Sequence, residues 1–230
     1  MMATRASSEF DQHGSRFAAR RDKLTTYFDS TARKAWIDLT SDAKVSGIRA
    51  TVRAGRDAMR DVLLNWLPHD LRRKRVLDAG CGTGALSVLA ARRGAEVVGV
   101  DVAGGLVAIA HERCPSFLGH GRIHWRVGDM LDPAHGRFDH VVAMDSLIHY
   151  QPEDVVRALR ELGTRTKTSM IFTFAPNNPA LAAMIALGRL FPRGDRAPSI
   201  VPVAPALLRR LIEAEPALAG WSIGRERRVA

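Results

Sequence analysis

The sequence predicts an α/β fold built on a doubly wound, mostly parallel sheet, and three observations carry that expectation. Short apolar runs alternate with helical patterns along most of the chain. One run, Val76-Leu77-Asp78-Ala79, opens directly into the glycine-rich turn Gly80-Cys81-Gly82-Thr83-Gly84 ahead of a helical stretch. A second run, Val97 to Val100, ends in Asp101 about twenty residues further on, where an acid of such folds meets ribose hydroxyls.

Taken in order, residues 1–22 mix small, polar and charged side chains without a long apolar core. They read as a disordered tail, neither signal peptide nor membrane span. Residues 23–70 read as a helical lid segment: Tyr27, Phe28 and Trp36 crowd a polar stretch, Met59, Val62, Leu63, Trp66 and Leu67 recur at helical spacing, and Pro68 stops the run. Residues 71–230 form the sheet domain. After the glycine turn, Ala85 to Arg93 is an amphipathic helix closed by Gly94, and Gly104 to Arg113 is the next, with Leu106, Val107, Ile109 and Ala110 inward. Ile123 to Val127 is a strand leading to Asp129 and Met130, and Phe138 to Met144 is a fourth ending at Asp145. Pro152 opens a helix, Met170 to Phe174 is a fifth strand, and Ala206 to Ala214 is a further helix. The apolar Ala180 to Leu190, within 176–205, reads as a helical insertion between strands five and six that covers the substrate.

At 230 residues the chain suits one such domain with its N-terminal extension. Cys81 and Cys114 are its only cysteines, which argues against a disulfide framework or a cysteine-based metal site and fits a reducing cytoplasm. The net charge of +10 fits an acidic substrate, an anionic membrane surface or nucleic acid and selects none of them. Its arginines are not interleaved with aromatics, so no nucleic acid is expected.

Acids at two strand ends beside bare backbone favour an adenosine ligand. The pattern D-x-G-x-G-x-G from Asp78 to Gly84 differs from the dinucleotide form, and its acid would repel a pyrophosphate but attract a methionine ammonium group. The stretch resembles motif I of the class I S-adenosylmethionine-dependent methyltransferases, whose fold is Rossmann-like. On that reading Asp78, Gly80, Cys81 and Gly82 meet the methionine end, Asp101 and Val102 the ribose, Asp129 and Met130 the adenine, and Asp145 the strand-four side of the donor. The carboxyl end of strand four lies beside the donor, so His149 stands out by position; His69, His135 and His140 read as structural.

A narrower resemblance rests on Tyr27-Phe28-Asp29-Ser30-Thr31 with Trp36, Val52-Arg53-Ala54-Gly55-Arg56, Asp78 to Gly84, Asp145-Ser146-Leu147-Ile148-His149-Tyr150, and Phe174-Ala175-Pro176 followed by Leu190-Phe191-Pro192. Together these blocks resemble the magnesium-protoporphyrin IX O-methyltransferase family of bacteriochlorophyll synthesis. The resemblance implies methylation of a propionate of magnesium protoporphyrin IX to the monomethyl ester, with S-adenosylmethionine becoming S-adenosylhomocysteine. It implies Tyr27 and His149 as catalytic residues, Tyr150 as a substrate contact, Arg53 as a partner of a substrate propionate or of the methionine carboxylate, and no metal site of the protein's own. It further implies contact with the porphyrin-binding subunit of magnesium chelatase and a cytoplasmic protein peripheral at the photosynthetic membrane. Other readings are a class I methyltransferase acting on another small acid or RNA, and a porphyrin carrier with a vestigial donor site. The wider fold adds a seventh, antiparallel strand, whereas this sequence ends at Trp221 to Ala230; either it is truncated there or its end is short, and a missing strand would expose a sheet edge.

Overall fold

The computed structural model describes residues 17–28, 47–177 and 200–229. Five parallel strands make one sheet: β1 (Arg75–Ala79), β2 (Glu96–Asp101), β3 (Arg122–Val127), β4 (Phe138–Ala143) and β5 (Thr166–Phe172). Their spatial order is β3-β2-β1-β4-β5. The chain runs outward from β1 to β3 and then restarts at β4 on the other side of β1. That reversal leaves a crevice beyond the carboxyl ends of β1 and β4, where ligands of such sheets bind.

Helix α1 covers residues 17–26. It is followed by α2 (Gly47–Trp66), α3 (Ala85–Arg92), α4 (Gly104–Glu112), α5 (Pro152–Gly163) and α6 (Pro205–Glu213). Strand alternation divides the core into two faces. Leu77, Ala79, Val98, Val100, Val141 and Ala143 pack against Val155, Leu159 and Leu162 of α5, Leu208 of α6, and Phe17 and Leu24 of α1. Val76, Val97, Val142 and Ile171 point the other way, onto Leu63 and Leu64 of α2, Leu67 just past its end, and Leu86 and Ala90 of α3. Each fully buried aliphatic side chain contributes roughly 1.5–3 kcal/mol, so both faces are needed to hold a sheet of short strands.

Several expected boundaries shift. Residues 17–22, read as disordered tail, are helical, because Phe17 and Leu24 are seven apart and bury on one side of the helix, at 4% and 5% exposure. Residues 1–16 and 29–46 of the lid segment, including Trp36, lie outside the described residues, as does 178–199 of the expected insertion. β5 begins at Thr166, four residues before the apolar run at Met170. Its first half is polar, and β4 is its only strand partner among the described residues. Beyond it, Pro176 bridges Val203 in parallel, and residues 221–229 carry no regular element.

Candidate active site

Four strand ends converge on the crevice. β1 supplies the glycine turn, pinned to β2 by bonds from the Gly80 and Cys81 amides to the Val100 carbonyl at 2.8 and 3.0 Å. Gly80 has φ +86, and a Cβ there would collide with that of Ser146. Glycine thus lets the turn lie directly against the loop after β4. The Asp101 carboxylate accepts the Gly82 amide at 2.8 Å and the Ala103 amide at 2.9 Å, fixing turn and strand end together. Val102 follows it, half-buried.

Asp78, expected at the methionine end of the donor, lies beneath the glycine turn. It is 1% exposed and accepts the Ser87 hydroxyl of α3 at 2.6 Å. Burial pushes its carboxyl up to about 7, with the Ser87 bond opposing and the Asp101 charge adding. Asp78 thus faces Ser87 and ties the end of β1 to helix α3. Cys81 is buried too, and burial and the two nearby carboxylates push its thiol up.

Past β3, the Asp129 carboxylate accepts the Leu131 amide at 2.8 Å and pairs with Arg21 of α1 at 2.8 Å. Met130 is buried, with its carbonyl accepting Arg165 Nη2 at 2.8 Å. Past β4, Asp145 adopts φ +56. Its amide donates to Thr173 Oγ1 at 2.7 Å, and its carboxylate pairs with Arg56 of α2. Ser146 Oγ is buried with no hydrogen-bond partner among the described residues.

A short 3-10 turn, Leu147–His149, carries His149, which is 8% exposed. The Phe28 ring meets the imidazole edge-on with centroids 6.2 Å apart, and Tyr27 meets Phe28 at 5.2 Å. The expected catalytic pair is thus brought to one locality through Phe28. Arg20 Nε donates to the His149 carbonyl at 2.8 Å.

Tyr150, expected at the substrate, is 5% exposed and stacked on Phe17 at 4.5 Å. Burial pushes its phenol up. In that place it serves as a platform for α1. Arg53 is half-buried on α2, and it is Arg56, one turn on, that reaches Asp145. His135 Nε2 sits 2.9 Å from the Asp129 carbonyl and His140 Nδ1 2.8 Å from Ser169 Oγ, each a structural contact.

Sequence reasoning did not single out Arg20, Arg21, Arg56, Ser146 or Thr173. The i, i+3 spacing of Arg53 and Arg56 was the one available signal, since it puts both on one helix face. The donor set fits S-adenosylmethionine in its chemistry: strand-end carboxylates accept hydroxyl and amino protons, and the orphaned Ser146 hydroxyl lies beside bare Gly80 backbone.

Residues 143–230 match the model of the magnesium-protoporphyrin IX methyltransferase C-terminus, and residues 76–169 that of a methyltransferase domain. The magnesium-protoporphyrin O-methyltransferase of Rhodobacter capsulatus is 52% identical over 195 residues, 84% of this chain and 87% of that one. The Synechocystis magnesium-protoporphyrin O-methyltransferase is 32% identical over 179 residues, 76% of this chain and 78% of its own. A crystal structure of the Synechocystis magnesium protoporphyrin IX methyltransferase with SAH bound superposes with a TM-score of 0.72 at 28% identity, covering 83% of this chain and 86% of that one. With a parallel sheet, a glycine turn and acids at successive strand ends, the chain belongs to the magnesium-protoporphyrin O-methyltransferase family.

Proposed function

We propose that this protein transfers a methyl group from S-adenosylmethionine to a propionate of magnesium protoporphyrin IX, giving the monomethyl ester in bacteriochlorophyll or chlorophyll biosynthesis. The observation that carries this reading is the 52% identity extending over 87% of the Rhodobacter capsulatus enzyme. The donor supplies an electrophilic methyl group on sulfur and leaves as S-adenosylhomocysteine.

The backbone of Gly80, Cys81 and Gly82 lines the donor site, Asp101 with Val102 takes the ribose hydroxyls, and Asp129 with Met130 the adenine. Asp145 closes the β4 side. A propionate is already ionised near neutral pH, so it needs little help from a base. Orientation of the attacking oxygen therefore dominates, an effect worth several kcal/mol in general. His149 orients that carboxylate or takes a residual proton, and Tyr27 covers the site. Arg53 offers a cation to a carboxylate of donor or substrate. Residues 176–205 would roof a flat macrocycle.

No helix among the described residues is long and apolar enough to cross a membrane. The net charge of +10 favours peripheral attraction to an anionic membrane surface, and a cytoplasmic enzyme docking there beside the porphyrin-binding subunit of magnesium chelatase is consistent with it.

The test is conversion of magnesium protoporphyrin IX with methyl-labelled donor. Labelled monoester is expected, and His149→Ala is expected to lower turnover by on the order of 100-fold with little change in donor affinity. Folded protein that binds porphyrin and donor yet yields no ester is a carrier, and the proposal fails.

A further inference from the structure

We infer that Thr173 is a positioning residue of the donor site, acting through the backbone of Asp145. The chain leaves β4 at Ala143 and must turn at once to bring Ser146 against Gly80. It does so by placing Asp145 at φ +56, a conformation in which a Cβ crowds the backbone. A residue stays there only when its surroundings over-determine it, and such residues gather at functional sites.

Thr173 directly succeeds the last residue of β5 and grips this bend twice. Its amide donates to the Ala143 carbonyl at 3.0 Å, and its hydroxyl oxygen accepts the Asp145 amide at 2.7 Å. From the other side, Arg56 of α2 pairs with the Asp145 carboxylate. The two grips differ in kind, because the ion pair holds the side chain while the Thr173 hydroxyl holds the backbone that sets the bend.

The β4 half of the site lies just beyond this bend. Ser146 presses on the glycine turn, and the next three residues form the 3-10 turn ending in His149. Without the hydroxyl acceptor, the Asp145 amide loses its partner at a partly buried position. The residue relaxes towards ordinary backbone, Ser146 withdraws from Gly80, and the wall of the donor cradle opens.

The inference rests on the reading of this crevice as a donor site, and its test needs no porphyrin. Calorimetry with S-adenosylhomocysteine is run on wild-type, Thr173→Val, Thr173→Ala and Thr173→Ser proteins, each checked for folding by thermal melt. Valine and alanine variants are expected to bind about tenfold more weakly, the loss from one unsatisfied, partly buried amide, while serine restores affinity to within about twofold. If the isosteric valine variant does not fold, the alanine and serine pair decides.

Wild-type affinity in the valine or alanine variant overturns the inference, as does a serine variant as weak as valine. Wild-type protein that binds S-adenosylhomocysteine but esterifies no porphyrin removes the proposed substrate and leaves the positioning role standing. Wild-type protein that binds no S-adenosylhomocysteine removes both.

Discussion

Asp78 is an acid whose ionisation the fold opposes. An aspartate in an unfolded chain titrates near pH 4, whereas burial pushes this one up to about 7. The folded state therefore holds the proton more tightly than the unfolded chain does. Its contribution to stability is complete below about pH 4 and is lost as pH rises through about 7. Asp78→Asn keeps an acceptor for the Ser87 hydroxyl and removes the buried charge. Its stability relative to wild type is expected to climb between about pH 4 and pH 7 and then level, by an amount on the order of a few kcal/mol, read as a growing difference in melting temperature. Melts by circular dichroism across that range check it, and a difference that does not vary with pH refutes it. Residue type and strand-end position made Asp78 readable as part of the donor site. Its partner did not show, because Ser87 lies on the following helix and only the packed βα unit turns the carboxyl towards it.

Helix α1 is an element held by its contacts rather than by its own propensity. A ten-residue helix is marginal alone in water, and this one is tied down by Phe17 on Tyr150, Leu24 in the core, Arg20 on the His149 carbonyl and Arg21 on Asp129. Phe17→Ala removes the stacked ring, a loss of about 3–5 kcal/mol for a buried aromatic. That is enough to free so small an element without unfolding the sheet. Hydrogen exchange is expected to show amides 18–26 losing protection while those of β1 and β4 keep theirs; loss spread evenly over the sheet would contradict a locally docked helix. The same element marks a limit of sequence reading. Strands β1, β2 and β4 were legible because buried parallel strands are continuous apolar runs. Phe17, one anchor of α1, is separated from Leu24 by two alanines and four charged residues and fell in a stretch that resembled a solvated tail, while Leu24 fell in the expected lid; the polar start of β5 hid its true beginning in the same way.

At the scale of the molecule, the strand order sets distant residues side by side. Each strand-end acid could be read from its own run, but the cations that meet two of them come from far away: Arg56 is 89 positions from Asp145 and Arg21 108 from Asp129, as Arg20 is 129 from the His149 carbonyl it bonds. No local period encodes such pairings, so the sequence displayed the acids without their partners. Because the crevice is assembled from four strand ends, a ligand that fills it favours only the fully folded chain. S-adenosylhomocysteine at about 100 times its dissociation constant is expected to add about 2.7 kcal/mol, or about 5–10 °C in melting temperature for a chain of this size. Gly80→Ala places a Cβ on that of Ser146 at a backbone position of φ +86, forcing the β1 turn and the β4 loop apart. That variant is expected to melt lower and to lose the ligand-induced shift, measured by differential scanning fluorimetry over a ligand series. A full shift retained by Gly80→Ala would mean that the close approach of these two loops is dispensable, and the crevice between β1 and β4 would no longer be the place where the donor is held.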